Sequence, residues 1–227
     1  MMPYDVSPFF LSLKVAGIST FFVFITCLLL ARFMAKKEFF GKSFVESLIL
    51  LPLVLPPTVI GFGLIYLFGV NGPLGSLLEQ WFGVRVVFTW GGAVIASFVV
   101  SVPLMYQSTL AAFEQVDPRW ENVARTMGLS EWRIFRTITF PLAWPGIFAG
   151  LILSFARGIG EFGATLMIAG YIPGQTETVP LAIYFAYEAG QMGKAAFWVL
   201  IISSLGLAGI SWLNYWRRKN SVRLGRE

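Results

Sequence analysis

The 227 residues are 56% hydrophobic, 13% charged and 16% aromatic, with a mean hydropathy of +0.72 and a formal charge of +5. A soluble domain of this size carries about 25% charged residues and has too little interior for so much apolar surface, so the composition points to a membrane protein. The absence of histidine and the single cysteine, Cys27, exclude a disulfide framework and a Cys/His metal centre.

The N-terminal segment MMPYDVSPFF has no basic region, and the apolar run after it is too long for a signal peptide, so it is expected to stay as a helix. About 20 apolar residues cross a bilayer as a helix. The first such stretch covers 13–35 and the second 44–68. Pro52, Pro56 and Pro57 remove backbone donors from the second, and Gly61 and Gly63 follow closely. Freed carbonyls are tolerated in hydrocarbon only against protein or a wet cavity. Two readings stay open here: a pore-lining segment, with Thr58 as a hydroxyl donor for an anion, or a kink that only shapes packing. The third stretch covers 86–112 and contributes Ser97 and Ser101 as further candidate donors.

The connection 113–141 is longer than a tether requires. Asp117-Pro118 is a helix start, with Asp as N-cap and Pro at the first helical position. Trp120, Val123, Ala124 and Met127 follow at i, i+3, i+4 and i+7, which predicts one apolar face ended by Gly128. Ser130 is placed to cap a second short helix carrying Trp132, Phe135 and Ile138, ended by Pro141. Such an apolar stripe in water either packs on the chain's own spans or docks into a groove of a soluble partner.

The fourth stretch covers 142–169. Gly146, Gly150, Ser154 and Gly158 recur every four residues, and Ala156, Gly160 and Ala164 form a second row. Small residues at this spacing let helices approach closely in lipid. Ser154 is also a candidate anion donor. Arg157 and Glu161 lie four apart and can meet on one face, as a structural or gate-linked ion pair or with the Arg touching an anionic substrate. Segment 170–193 reads as an outer loop with a short surface helix, a re-entrant segment being the alternative. The fifth stretch covers 195–216.

Cations mark one side of this five-span arrangement. Arg32, Lys36, Lys37 and Lys42 flank the first connection, and Arg119, Arg125, Arg133 and Arg136 lie in 113–141. Arg217, Arg218, Lys219, Arg223 and Arg226 follow the last span, whereas the opposite side holds only Lys14, Arg85 and Lys194. The positive-inside rule then puts the N-terminus outside and the C-terminus in the cytoplasm. The basic charge is a topology signal and requires no nucleic-acid partner.

The segment ENVARTMGLSEWRIFRTITFP, 121–141, resembles the EAA loop of permease subunits of bacterial ABC importers. Gly128, Ile138 and Pro141 fall at that pattern's intervals, while Asn122, Val123 and Phe140 depart from it and Glu121 stands beside the expected acid. LPLVLPPTVIGFGL (51–64) and FARGIGEFGATLMIAGYIPGQTETVPLAIY (155–184) look like spans of molybdate and tungstate permeases, and sulfate/thiosulfate permeases carry a similar Glu-aromatic-Gly segment.

The resemblance implies an all-α type I importer permease in a prokaryotic inner membrane, a single domain over 1–227. It implies a homodimer that binds two cytoplasmic ATPase subunits, receives molybdate or tungstate from an external binding protein and moves it into the cytoplasm by alternating access. Trp120, Glu121, Val123, Ala124, Met127, Gly128, Ile138 and Pro141 would then couple to the ATPase. Pro56, Pro57, Thr58, Ser97, Ser101, Ser154, Arg157 and Glu161 would be candidates for the path or gate. The chain has no Gly-x-x-x-x-Gly-Lys-Ser/Thr loop, so ATP and Mg would belong to the partner ATPase, and no catalytic residue, metal or cofactor is expected here. The competing readings are a sulfate or thiosulfate permease and, from another class, a secondary transporter or membrane scaffold.

Overall fold

The computed structural model describes residues 5–224, so Arg226 lies outside the described residues. Helix α1 (Ser7–Lys36) is the first span. The second span is two helices, α2 (Lys42–Val54) and α3 (Pro57–Phe68), bent by 114° at their junction. A short α4 (Pro73–Phe82) precedes the third span, α5 (Trp90–Glu114). The long connection holds α6 (Pro118–Thr126) and α7 (Glu131–Ile134) and runs through a π-helical turn (Phe135–Thr139) into α8 (Phe140–Ile159). Then come α9 (Gly163–Ala169), α10 (Val179–Glu188) and the last span, α11 (Met192–Leu224).

Helices α1, α5 and α8 pack on one another and form the centre of the bundle. Small residues allow it. A Cβ added to Gly146 would lie 2.6 Å from the Cβ of Ala112, one on Gly150 2.8 Å from the Cβ of Ser108, and one on Gly158 2.6 Å from Oγ of Ser97. Between them the Ser101 hydroxyl donates to the Ser154 carbonyl (3.2 Å) and the Ser154 hydroxyl to that of Ser101 (3.4 Å). The row 146–150–154–158 is thus zipped antiparallel onto 112–108–101–97. The other expected row fails, because α8 ends at Ile159 and leaves Ala156 and Gly160 exposed while Ala164 is buried in another helix.

Two apolar clusters lie above and below a hydroxyl layer. One holds Val23, Cys27, Met34, Met105, Tyr106 and Ile147, the other Val15, Ile60, Leu64, Ala93, Val100 and Ile168. Between them Ser19 and Ser97 share a 2.8 Å hydrogen bond at full burial.

The structure corrects two expectations of local form. The second span is broken rather than kinked: Pro56 and Pro57 delete consecutive donors and hold Leu55 and Pro56 extended, at ψ 139° each. Pro141 does not end a helix. The π turn carries the chain past it, with Phe140 N–H donating to the Phe135 carbonyl, and Pro141 occupies the next first turn, where its missing donor costs little. Helix α10 is the expected short helix in 170–193, exposed at Tyr184, Tyr187 and Glu188 and anchored by its other face. It buries Val179, Leu181, Ala182 and Ala186 against α1 and α11, and Val179 N–H donates to Ser12 Oγ at 2.8 Å.

The zipper gives a directional test. Gly158→Ala should destabilise the detergent-solubilised protein by about 1–3 kcal/mol through overpacking against Ser97. Adding Ser97→Gly should recover part of that loss, as a lowered and then partly restored midpoint of thermal unfolding. Equal effects of the single and double variants would place the tight contact elsewhere.

Candidate functional site

The connection between α5 and α8 is a capped and anchored unit. Asp117 Oδ1 accepts from Arg119 N–H (2.9 Å) at the start of α6. At its end Gly128 has φ +80°, which suits a residue without a Cβ. Gly128 N–H donates to the Arg125 carbonyl (2.9 Å) and Leu129 N–H to that of Ala124 (3.2 Å), the paired bonds of a left-handed C-terminal cap. Ser130 precedes α7 in extended backbone but makes no side-chain cap bond.

The expected single apolar face is split. Trp120, Val123 and Met127 are 62%, 56% and 75% exposed, and Trp132 beyond the turn is exposed too, whereas Ala124 is buried at 2%. Ala124 seats the loop on its own chain, and the other three face outward. Ile138 is half-buried and Pro141 exposed.

Glu121 fastens this unit to the bundle. Its carboxylate accepts from Thr139 Oγ1 (2.6 Å) and pairs with Lys36 (3.1 Å), Arg32 (3.4 Å) and Arg125 (3.1 Å). Arg32 also stacks on the Phe135 ring, 4.7 Å from its centroid. Arg125 and Lys36 bind Glu131 as well, so the end of α1 and both loop helices share one network. Burial alone would push the Glu121 carboxyl up. The Thr139 hydroxyl, Lys36 and Arg32 outweigh it and hold the group at about 2. Bonds from Arg125 and then Lys36 likewise hold Glu131 at about 2. Sequence reasoning named Glu121 but missed its anchors. Arg32 and Lys36 read only as topology marks, and Thr139 gave no signal.

The second candidate region lies where the break between α2 and α3 meets the turn between α8 and α9. Arg157 Nη1 donates to Glu161 Oε2 at 2.6 Å although α8 ends between them, and Glu161 Oε1 accepts from Ala164 N–H at 2.8 Å. The Glu161 side chain is 2% exposed and that of Arg157 32%. A Cβ on Gly163 would lie 2.8 Å from that of Pro57, and one on Gly61 2.6 Å from that of Met167. Pro56, Pro57 and Thr58 are exposed at this junction. Ser97, Ser101 and Ser154 are not brought to it: they are fully buried in the zipper, with their hydroxyls committed to other helices.

The Glu121 anchor makes stability depend on pH in a defined direction. A carboxyl held below its ordinary value stabilises the fold above that ordinary value, near 4.3–4.5, and the contribution fades as pH falls toward about 2. Glu121→Gln should therefore cost about 1.5–3 kcal/mol between pH 5 and 7. The gap between wild type and variant should narrow below pH 4.5 and close near 2. Thermal unfolding of both proteins across this range is the measurement, and a gap constant with pH would show that the anchor is not ionic.

Comparison with known proteins places this geometry. The family model described as the binding-protein-dependent transport system inner membrane component matches residues 27–221. The molybdenum transport system permease protein ModB of Haemophilus influenzae is 42% identical over 92% of this chain and 93% of its own length. The sulfate transport system permease protein CysT of Salmonella typhimurium is 35% identical over 80% of this chain and 65% of its own. Among solved structures, a bacterial ABC transporter involved in the import of alginate superposes with a TM-score of 0.74 at 16% identity, over 94% of this chain and 79% of that one, which bears on the fold alone. The chain belongs to the family of inner membrane components of binding-protein-dependent transport systems.

Proposed function

We propose that this chain is the membrane-spanning subunit of an ATP-driven importer that brings molybdate into the cytoplasm. The observation that carries the reading is the near end-to-end match to a molybdenum permease, against a match covering only 65% of a sulfate permease. In this reading two copies enclose the path around a twofold axis. Two ATPase subunits dock on the face formed by Trp120, Val123, Met127 and Trp132, and an external binding protein delivers the dianion to the opposite side. The cation-rich side, with the loop 113–141, then faces the cytoplasm.

Closure of the ATPases pushes the loop, and the Glu121 network passes that push to the ends of α1 and α8. The anion meets a water-lined surface between the copies. Thr58 and the open side of Arg157 are the groups placed to contact it. Glu161 neutralises that cation, so the site holds the anion weakly enough to release it. Selectivity among tetrahedral dianions then rests largely with the binding protein.

The test is uptake by proteoliposomes containing this subunit, its ATPase and its binding protein. ATP-dependent molybdate uptake should be suppressed by equimolar tungstate and unaffected by equimolar sulfate. Sulfate uptake at a comparable rate would shift the assignment to a sulfate permease. Uptake without ATP would remove the chain from this class of machine.

A further inference from the structure

Helix α4 carries its apolar face outward. It is seated on the end of α3 through glycines: a Cβ on Gly75 would run into the carbonyl oxygens of Phe68 and Gly69, and one on Gly72 would lie 2.5 Å from the Tyr66 carbonyl oxygen. Beside Gly75 on the seated side are Leu78, which joins the apolar cluster of Val86 and Ile168, and Glu79, which pairs with Arg85 at 2.6 Å. Leu74, Leu77 and Trp81, at i, i+3 and i+7, make the other face and are exposed, Trp81 at 77%. Phe82, also exposed, follows before Gly83 ends the helix at φ +64°.

In water this orientation is the wrong way round. An amphipathic helix on a soluble surface turns its leucines and tryptophan inward and leaves its carboxylate out. The position of α4 says which apolar medium covers the outward face. The helix joins α3 to α5 at the end of the bundle opposite the 113–141 connection. Phe88 and Trp90 are exposed at that end too, and the Lys14 ammonium of α1 lies 3.8 Å from the centroid of the Trp90 ring. Exposed aromatics around a lysine head mark the level where hydrocarbon meets water. A protein fits this face less well. A partner that docks and leaves would bare the patch to water each time, and the patch is far smaller than the roughly 20 residues a side of a stable subunit contact.

We propose that α4 is an interfacial helix that binds the lipid surface, with Leu74, Leu77 and Trp81 set among the acyl chains and Gln80 toward the headgroups. The outward face carries no charge and Glu79 is neutralised by Arg85, so apolar burial holds the lipid and headgroup charge does not. Through its seat on the end of α3, the helix anchors that end of the broken span at the membrane surface. The inference needs only a chain that spans a bilayer and is independent of the cargo.

Nitroxide labels on single cysteines, in a Cys27→Ala background and in the assembled transporter in lipid nanodiscs, test it. Labels at Leu77→Cys and, separately, at Trp81→Cys should collide several-fold more often with molecular oxygen than with a water-soluble nickel chelate. A label at Gln80→Cys should show the reverse preference. The preferences should be the same in phosphatidylcholine alone and with phosphatidylglycerol added, and adding the external binding protein should not change them.

More frequent collision with the nickel chelate at Leu77→Cys and Trp81→Cys would put the face in water and overturn the proposal. Shielding from both reagents that appears only with the binding protein would make it a docking face for that protein. Shielding from both without it would make the face a contact between copies. An oxygen preference that needs phosphatidylglycerol would contradict apolar burial. A complex that takes up no oxyanion would sink the transport assignment and leave these readings intact, because they are made without substrate.

Discussion

The zipper between α5 and α8 is the contact on which the rest depends. Lipid gives helices no hydrophobic reason to associate, so the bundle must gain its cohesion from close packing and interhelical hydrogen bonds. Gly146, Gly150 and Gly158 let the α5 and α8 backbones approach closely, and Ser101 and Ser154 exchange hydroxyl bonds to each other's carbonyls in the middle of the contact. With α8 fixed on α5 and α1 fixed on both, the chain has a frame. Against that frame a broken span can be positioned and a loop can be levered.

The two functional regions use opposite physics at the two sides of this frame. Toward the cation-rich side, Glu121 has Lys36, Arg32, Arg125 and Thr139 around it, so several elements share one anion. Glu161, buried in the bundle, has one cation and one backbone donor. The first ties the loop to the frame, and the second bridges the last turn of α8 and the first turn of α9.

Much of this was legible from residue order, and the failures are informative. Spans, loop and small-residue row followed from hydropathy, helix caps and spacing, because those signals are local. The 114° break is not readable from three prolines, which signal lost donors but not how far the chain turns. Period alone groups Ala124 with Trp120, Val123 and Met127. An i+4 neighbour can still face inward when the apolar arc is wide, and only the seat on the bundle decides. Ser97, Ser101 and Ser154 looked like anion donors because their hydroxyls are equally suited to a path and to a packed interface; the burial of their partners distinguishes the two. Two anchors of Glu121, Thr139 and Arg32, lie 18 and 89 positions away in the chain, beyond the reach of any local pattern.

In the proposed mechanism ATP hydrolysis drives this permease through the outward-facing residues of α6. Met127→Asp puts a charge at a 75% exposed position, so the unfolding midpoint should move little. Co-purification of the ATPase with that variant is the most direct measurement. The ATPase should be lost while the permease stays folded. Full retention of the ATPase, with wild-type uptake per ATP hydrolysed, would contradict it.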